Sequence, residues 1–170
     1  MRLVLVIAGL EAGGAERVLS TLANAWVAEG HEVVLITYAP GGADFYPLDA
    51  RVRRLGLDML RTASHPLLGL WRMAARVRRL RACLRAERPT LVVSFTTSVN
   101  LETLMACRGL GLAVVVSERT EPARQVLDRV RRGLRQRLYP WADAVVVQSP
   151  AIAAWFQQAI PAARVTVIPN

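Results

Sequence analysis

Short runs of valine, leucine and isoleucine recur along the chain and alternate with longer segments in which apolar residues return every three or four positions. A run that is apolar at every position predicts a strand buried on both faces, whereas the wider spacing predicts a helix with one apolar face. The predicted strands are "RLVLVIAG", "EVVLITY", a weaker strand around Val52 to Leu55, "TLVVSF", "LAVVVSE", "DAVVVQS" and "RVTVIP".

Helices are predicted between most of these strands. Gly30 is placed to end the first helix, and a proline suits the first turn of each of the last two. Strands separated by helices pair in parallel through right-handed crossovers. We therefore predict an α/β fold in which residues 1–170 form one Rossmann-like domain, a doubly wound, mainly parallel sheet of about seven strands. The predicted helices run from about Ala15 to Glu29, Leu67 to Ala86, Val99 to Arg108, Pro122 to Leu138 and Pro150 to Ala159.

The positive charge of the chain is concentrated in one segment. The formal net charge is +9, and residues 51–88 hold eleven arginines but only Asp58 and Glu87 as acids, so this segment accounts for the whole imbalance. The chain contains no lysine. Its absence excludes Schiff-base chemistry on a lysine and phosphate loops that depend on one.

The remaining reactive residue types predict structural roles. Cys83 and Cys107 lie in apolar helical patterns, so we interpret both as core residues of a protein in a reducing compartment. His31 and His65 are too few and too far apart to predict a metal site. The first apolar run resembles a signal peptide, but it is short and a well-formed helix follows, which favours a buried strand.

The turn after the first strand carries the pattern "GLEAGGAER", in which Gly13 and Gly14 precede the predicted helix and Arg17 lies in its first turn. Ligands of such sheets bind beyond the carboxyl ends of the strands. Glycines let a ligand approach the backbone, and an anion at the helix start would compensate Arg17. A structural alternative is equally weighted: the glycines only form a tight turn, and Arg17 pairs with Glu11 or Glu16.

Two familiar nucleotide-binding motifs do not fit this turn. A dinucleotide fingerprint requires G-x-G-x-x-G and an acidic residue at the end of the second strand, and the sequence has neither. Gly9 and Gly14 have the spacing of a Walker A loop, but Ala15 and Glu16 stand where lysine and serine or threonine are required. Both nucleotide-binding motifs are therefore excluded.

The order of several motifs matches a known family along the whole chain. A strand, "GGAER", a helix and "EGHEVVLIT" are followed by "VVSFTTSVN", "VVVSERTEP", "YPWADAVVVQSPAIAAWF" and "VIPN". This succession resembles the N-terminal domain of family 4 retaining glycosyltransferases, whose GT-B fold consists of two facing Rossmann-like domains. The last motif resembles the start of the linker between those domains.

The resemblance implies a function for this chain. It would be the acceptor-binding half of an enzyme that moves a sugar from a nucleotide-diphosphate donor to a glycan or lipid-linked acceptor, with retention at the anomeric carbon. Gly13, Gly14 and Arg17 would face the donor diphosphate. A C-terminal domain, absent from this chain, would bind most of the nucleotide sugar, so the isolated domain is expected to be inactive. No cofactor and no metal ion are expected.

Polar residues end the fourth and fifth strands at the same predicted rim. Ser117, Glu118 and Arg119 close the fifth strand, and we assign Glu118 and Arg119 to the cleft, with a local ion pair as the alternative. Many relatives carry a histidine near Arg119, so no catalytic role is assigned. Ser117 and the polar residues after the fourth strand are candidates for acceptor binding, with a helix N-cap as the alternative for the latter. These residues are Thr96, Thr97 and Asn100.

Other residues near the strand ends are predicted to be structural. Ser149, before Pro150, is interpreted as a helix cap rather than a ligand contact, beside Gln148 at the end of the sixth strand. His31 lies in the turn into the second strand, at the opposite end of the sheet from the ligand crevice.

The long second helix, "PLLGLWRMAARVRRLRACLRAER", carries a one-sided positive face. Leu70, Met73, Val77, Leu80 and Leu84 form the stripe expected to pack on the sheet. The arginines beside its apolar start suit an anionic membrane surface or the pyrophosphate of a lipid-linked acceptor, with a solvated outer face as the alternative. The arginines assigned to this role are Arg72, Arg76 and Arg79.

These features predict a cytoplasmic protein on the peripheral face of a membrane. Its expected partners are a nucleotide sugar, a glycan or lipid-linked acceptor, an anionic membrane surface and the C-terminal domain. The alternative function is a non-catalytic basic module for anionic membranes or nucleic acid. Nucleic acid is not expected, because the sequence contains no recognition motif and few aromatic residues to stack on bases.

Overall fold

The structure is a computed structural model that describes residues 1–41, 44–60, 65–122, 125 and 127–169. The strands are β1 (Arg2–Ile7), β2 (Glu32–Thr37), β3 (Arg53–Gly56), β4 (Leu91–Phe95), β5 (Ala113–Glu118), β6 (Ala144–Val147) and β7 (Val165–Val167). The helices are α1 (Gly14–Ala28), α2 (Pro66–Glu87), α3 (Thr97–Cys107), α4 (Arg129–Leu138) and α5 (Pro150–Ala159), with a short 3-10 helix at Tyr139–Trp141.

All seven strands form one parallel sheet in the order β3-β2-β1-β4-β5-β6-β7. The central strand β1 is bonded on both sides, so that Val4 lies between Val34 of β2 and Val92 of β4. The change of direction between β1 and β4 makes the sheet doubly wound. The predicted fold class and strand number are confirmed.

The two faces of the sheet are covered unequally. The chain moves one way across the sheet from β1 to β3 and the other way from β3 to β7, and right-handed crossovers place the helices of these two halves on opposite faces. The larger core therefore packs α2, α3, α4 and α5 against one face. The other core contains only α1 among the helices, because the described part of the connection from β2 to β3 holds no helix.

An open groove results on the second face, beside α1. Side chains from three neighbouring strands form its floor, and α1 forms one wall; its volume is about 480 Å³. Parallel strands are normally covered on both faces, so this half of the sheet is a surface on which another structure can pack. Apolar residues of the groove are Val18, Leu22, Trp26, Leu91, Val93, Val115 and Val146.

Two helix predictions need correction. The fourth helix begins at Arg129 rather than at Pro122, because the Asp128 carboxylate accepts a hydrogen bond from the Arg131 N–H at 2.8 Å and caps the helix there. Residues 123–124 and 126 lie outside the described part of the chain. In α2, Leu80 and Leu84 are buried as predicted, but Leu70 is 46% exposed because the first turns of the helix extend past the sheet.

Candidate functional site

The carboxyl end of β1 leads into the turn that contains Gly13 and Gly14, and Gly13 is the N-cap of α1. Gly13 has an extended backbone (φ −157°), which any residue can adopt. The space beside it is taken up by a neighbour, since a Cβ on Gly13 would lie 2.1 Å from the flexible Glu16 carboxylate. Gly14 faces open space, since a Cβ there would meet no atom within 4 Å.

The Glu16 side chain therefore folds back over the start of α1. A carboxylate three residues after an N-cap resembles half of a capping box, and its negative charge opposes the positive end of the helix dipole favourably. A bound phosphate would compete with this carboxylate for the same position. Because Glu16 is a flexible side chain at the protein surface, rotation about its side-chain bonds would free the turn.

Arg17 is exposed and lies at the edge of the open groove. Among the described residues it forms no ion pair with Glu11 or Glu16 within 4.0 Å. The alternative in which Arg17 is bound within its own turn is therefore not what the structure shows. The guanidinium is available to an anion outside the turn.

Ser117 and Arg119 line the same groove as Arg17. Burial lowers the pKa of the half-buried Arg119 guanidinium, although an arginine remains charged at neutral pH. The first turn of α1 and the residue directly after β5 thus each bring an arginine to one groove, at the end where the strands finish. This agrees with the place of Arg119 predicted from the sequence.

Glu118 does not face the cleft, which corrects our assignment. Its side chain is fully buried, and its two carboxylate oxygens accept hydrogen bonds from Thr97 Oγ1 at 2.7 Å and from the Tyr139 hydroxyl at 2.5 Å. Burial raises the pKa of this carboxyl, and the two hydrogen bonds act in the opposite direction. The alternation of β5 explains the difference, because neighbouring residues of a strand point to opposite faces.

Thr97 and Asn100 are also bound within the protein, so the structure contradicts their assignment to the acceptor. Both are buried; Thr97 donates to Glu118, and the Asn100 amide donates to the Ser117 carbonyl at 3.0 Å. Thr96 alone of the three is partly exposed at the rim. Its side chain makes no capping hydrogen bond, and its φ of +72° is a conformation that a threonine rarely adopts outside functional sites.

The arginine helix is only partly available for binding. Arg76 forms a bidentate ion pair with Glu102, with Nε 2.9 Å and 3.0 Å from the two carboxylate oxygens and a terminal nitrogen 2.6 Å from one of them. Its guanidinium also lies over the Tyr38 ring. Our assignment of Arg76 to the membrane-facing patch is therefore wrong. Its partner Glu102 is the one acidic residue of α3, and it is buried.

Three other arginines of α2 lie beside an exposed apolar strip. Arg79 and Arg78 are exposed and line a shallow groove with Met59 and Trp71; Arg72 lies on the adjoining groove. Trp71 is 68% exposed, and Leu60 and Leu70 are about half exposed. Because α2 starts after β3 and runs back to the start of β4, this strip lies toward the carboxyl edge of the sheet. We call it the α2 strip.

Two predicted helix ends are confirmed. Gly30 ends α1 with a φ of +85°, and Ser149 Oγ accepts the N–H of Ile152 to cap α5. Cys83 and Cys107 are free thiols, and burial raises the pKa of Cys107 to about 12. The described residues include no cluster of three potential metal ligands and no helix that combines the length and hydrophobicity of a membrane span.

Sequence reasoning missed the residues that hold Glu118. Tyr139, Gln125 and Arg135 connect to it directly or through Thr97. Arg135 is 4% exposed, although it belongs to the arginine-rich helix α4. The contacts join residues far apart in the chain, so no local pattern could have identified them.

Solved structures support the fold. The chain is similar to sucrose-phosphate synthase from Thermosynechococcus elongatus, with a TM-score of 0.80 at 17% identity over 99% of this chain and 47% of that protein. It is also similar to a glycosyltransferase from Rickettsia africae, with a TM-score of 0.72 at 14% identity over 99% of this chain and 42% of that protein. At this identity the similarity shows the fold alone.

Sequence comparisons identify the family. The chain is 30% identical over 174 aligned positions to an enzyme of Campylobacter jejuni, GalNAc-alpha-(1->4)-GalNAc-alpha-(1->3)-diNAcBac-PP-undecaprenol alpha-1,4-N-acetyl-D-galactosaminyltransferase. The match covers 99% of this chain and 46% of that enzyme, so the chain spans about half the length of the curated relative. The family model for Glycosyltransferase Family 4 matches residues 12–170. The chain therefore belongs to Glycosyltransferase Family 4.

Proposed function

We propose that this chain is the N-terminal, acceptor-side domain of a two-domain retaining glycosyltransferase of the hexosyltransferase type. The enzyme transfers a sugar from a nucleotide-diphosphate donor to a glycan or lipid-linked acceptor. The observation that carries the proposal is the rim of the sheet, where the open turn at Gly14 adjoins a groove that also contains Arg17 and Arg119. Arg17 forms no ion pair within 4.0 Å in the described part of the chain. Family membership supports the reaction class.

The donor diphosphate would lie against Gly13, Gly14 and Arg17. In the reaction the bond between the anomeric carbon and the diphosphate breaks, and the acceptor oxygen bonds to that carbon on the same face. The proton of the acceptor hydroxyl passes to the leaving diphosphate. Negative charge grows on the leaving diphosphate, and a fixed guanidinium stabilises it in the transition state. Glu16 must move away from the turn first, because two anions would repel each other there.

The acceptor would occupy the rim between β4 and β5. Of the predicted acceptor contacts, Thr96 is partly exposed there and Ser117 lines the groove, beside the cleft candidate Arg119. The proposal includes no cofactor and no metal ion, since arginines carry the charge compensation. Most of the nucleotide would be held by the C-terminal domain.

The α2 strip would place the domain on the cytoplasmic face of an anionic membrane. Trp71, Leu70 and Leu60 provide apolar side chains for the lipid interface, and Arg78 and Arg79 provide charges beside them. Each arginine near an anionic surface contributes about 1 kcal/mol. The same guanidinium groups suit the pyrophosphate of a lipid-linked acceptor through bidentate contacts. The curated relative is named for an undecaprenol-diphosphate acceptor.

Vesicle flotation tests the acceptor side. We expect the chain to float with vesicles that contain phosphatidylglycerol and a polyprenyl-diphosphate-linked sugar, and to float less with neutral vesicles. Arg78→Ala with Arg79→Ala should reduce flotation. The control is Arg108→Ala with Arg164→Ala, which also removes two positive charges. These two residues precede β5 and β7, at the amino ends of the strands, opposite the end where the α2 strip lies. Equal flotation of both double variants, or salt-sensitive binding to duplex DNA without binding to vesicles, would contradict the proposal.

Product analysis tests the reaction. Joined to a C-terminal donor domain of the family, the chain should transfer sugar from a nucleotide sugar to the lipid-linked acceptor, and NMR of the product should show the anomeric configuration of the donor. An inverted product would contradict the retaining mechanism. Sugar transfer by the 170-residue chain alone would contradict the two-domain proposal.

A further inference from the structure

We propose that Glu118 is a positioning residue: its buried carboxylate holds Arg119 and the β4–α3 turn in the geometry that the ligand rim requires. This inference rests on the proposed function for the role of the rim. The inference goes beyond the proposed function because it assigns a positioning role to a residue that does not contact the ligand of the rim. The contacts that carry it form a buried polar network beneath the carboxyl ends of β4 and β5.

The network begins at the end of β5. Glu118 is fully buried, yet it receives hydrogen bonds from two hydroxyl groups, of Thr97 and Tyr139. A buried carboxylate is costly unless hydrogen bonds and positive charge compensate it. Here Arg135 supplies the positive charge, and its guanidinium also stacks on the Trp155 ring, 4.7 Å from the ring centre.

One branch of the network fixes the β4–α3 turn. Thr97 is the first residue of α3, so its hydrogen bond to Glu118 ties the start of the helix to β5. Thr96, directly before it, has a positive φ, and its N–H donates to the Ser117 carbonyl at 3.2 Å. A strained threonine persists only where surrounding contacts hold it.

A second branch holds Gln125, six residues after Arg119. The Gln125 amide hydrogen-bonds to Thr97 Oγ1 at 2.8 Å, and its oxygen accepts from Arg135 at 3.1 Å. Arg119 therefore lies between two anchored residues, Glu118 before it and Gln125 after it. Its guanidinium lines the groove that also contains Arg17. The carboxylate thus orients an arginine of the rim from the other side of the strand.

The matched variants are Tyr139→Phe, Glu118→Gln and Ser94→Ala. Tyr139→Phe deletes the hydroxyl that donates to Glu118 and accepts from the Asn100 amide at 3.3 Å. Glu118→Gln keeps the shape but removes the charge. Ser94→Ala deletes another buried hydroxyl of the same region, whose bond goes to Asn100 Oδ1 at 2.8 Å rather than to Glu118. It controls for a general loss of stability.

The primary measurement is the NMR resonance of the Arg119 Nε–H group, assigned with Arg119→Lys, in the 170-residue chain. The second is the affinity for inorganic pyrophosphate at low salt. We expect Tyr139→Phe and Glu118→Gln to shift the Arg119 resonance and to weaken pyrophosphate binding about tenfold, which corresponds to about 1.4 kcal/mol. Ser94→Ala should leave both unchanged at a temperature where every variant is folded.

An unshifted Arg119 resonance in Tyr139→Phe, or an equal shift in Ser94→Ala, would overturn the positioning role. If the parent chain binds no pyrophosphate, the donor site of the proposed function fails, whereas the Arg119 resonance still decides the positioning role. If Glu118→Gln does not fold, Tyr139→Phe alone gives the answer.

Discussion

Removing Arg76 should destabilise the domain far more than removing a surface arginine. Arg76→Met keeps most of the side-chain length but deletes the guanidinium that binds both oxygens of Glu102. The Glu102 side chain is only 4% exposed and that of Arg76 is 16% exposed, so the carboxylate would remain in the protein interior without its partner.

The expected loss follows from this burial. Breaking a buried ion pair from one side typically costs 3 to 5 kcal/mol, and the partial exposure of Arg76 favours the lower end, about 3 kcal/mol. This corresponds to a change of about 100-fold or more in the folding equilibrium. Replacing both partners, as in Arg76→Met with Glu102→Leu, should recover most of the loss, because no uncompensated charge remains.

Urea unfolding followed by circular dichroism measures these differences. The control pair is Arg2 with Glu32, whose side chains are 43% and 69% exposed. Arg2→Met should cost about 1 kcal/mol or less, as exposed pairs do. A loss below about 1 kcal/mol for Arg76→Met, or no recovery in the double variant, would refute the conclusion that Arg76 is structural.

Four further predictions use other parts of the chain. Gly56→Ala should destabilise the domain by about 2 kcal/mol or more in urea unfolding, since its Cβ would lie 2.3 Å from the Gly41 nitrogen. Gly133 lies in a helix, and a Cβ there would meet no atom within 4 Å, so Gly133→Ala should stabilise the domain by up to about 1 kcal/mol. A loss of stability would contradict this prediction. Iodoacetamide at pH 8, followed by mass spectrometry, should modify Cys83 before Cys107, because deeper burial raises the pKa of Cys107 to about 12; the reverse order would contradict this. Hydrogen bonds from Arg51 lower the pKa of Asp49 to about 2, so the NMR titration of the Asp49 carboxyl should have its midpoint at about pH 2. The stability that this carboxylate contributes is fully present above its unfolded pKa and should be lost as the pH falls to about 2. A midpoint near pH 4 would contradict this prediction.

The fold was predictable because each strand and most helices carry their own local signal. Runs such as "LVLVI" identify strands buried on both faces, and the alternation with helices determines the parallel pairing. The sequence analysis placed the start of α4 at Pro122, because a proline favours the first turn of a helix. The structure starts this helix at Arg129, directly after the Asp128 cap. Both residue types favour helix starts, and only tertiary packing decides between them.

The site was less predictable, because its residues depend on contacts across the sheet. Arg17 and Arg119 reach one groove as expected from the topology of parallel strands. Glu118, one residue before Arg119, points to the interior, since its partners Thr97 and Tyr139 come from other elements. Periodicity in β5 predicts that the two side chains lie on opposite faces, but it does not say which face is open.

The arginine helix shows the same limit. A helical wheel places Arg72, Arg76 and Arg79 on one face, yet Arg76 is held by Glu102 of α3. The sequence separation of 26 residues hides this pair from any local pattern. The exposed Trp71 at the start of α2 was predicted as apolar bulk beside the arginines, and the structure leaves it at the surface.

Affinity of the chain for UDP, measured by titration calorimetry at low salt, tests most directly whether the first turn holds a nucleotide diphosphate. A charge-assisted contact of the Arg17 guanidinium is worth about 1.5 to 3 kcal/mol, so Arg17→Ala should weaken binding at least tenfold. Arg137→Ala, which removes an exposed arginine of α4, should bind as the parent does. If Arg17→Ala binds UDP as well as the parent, the turn does not hold the diphosphate and the account is wrong.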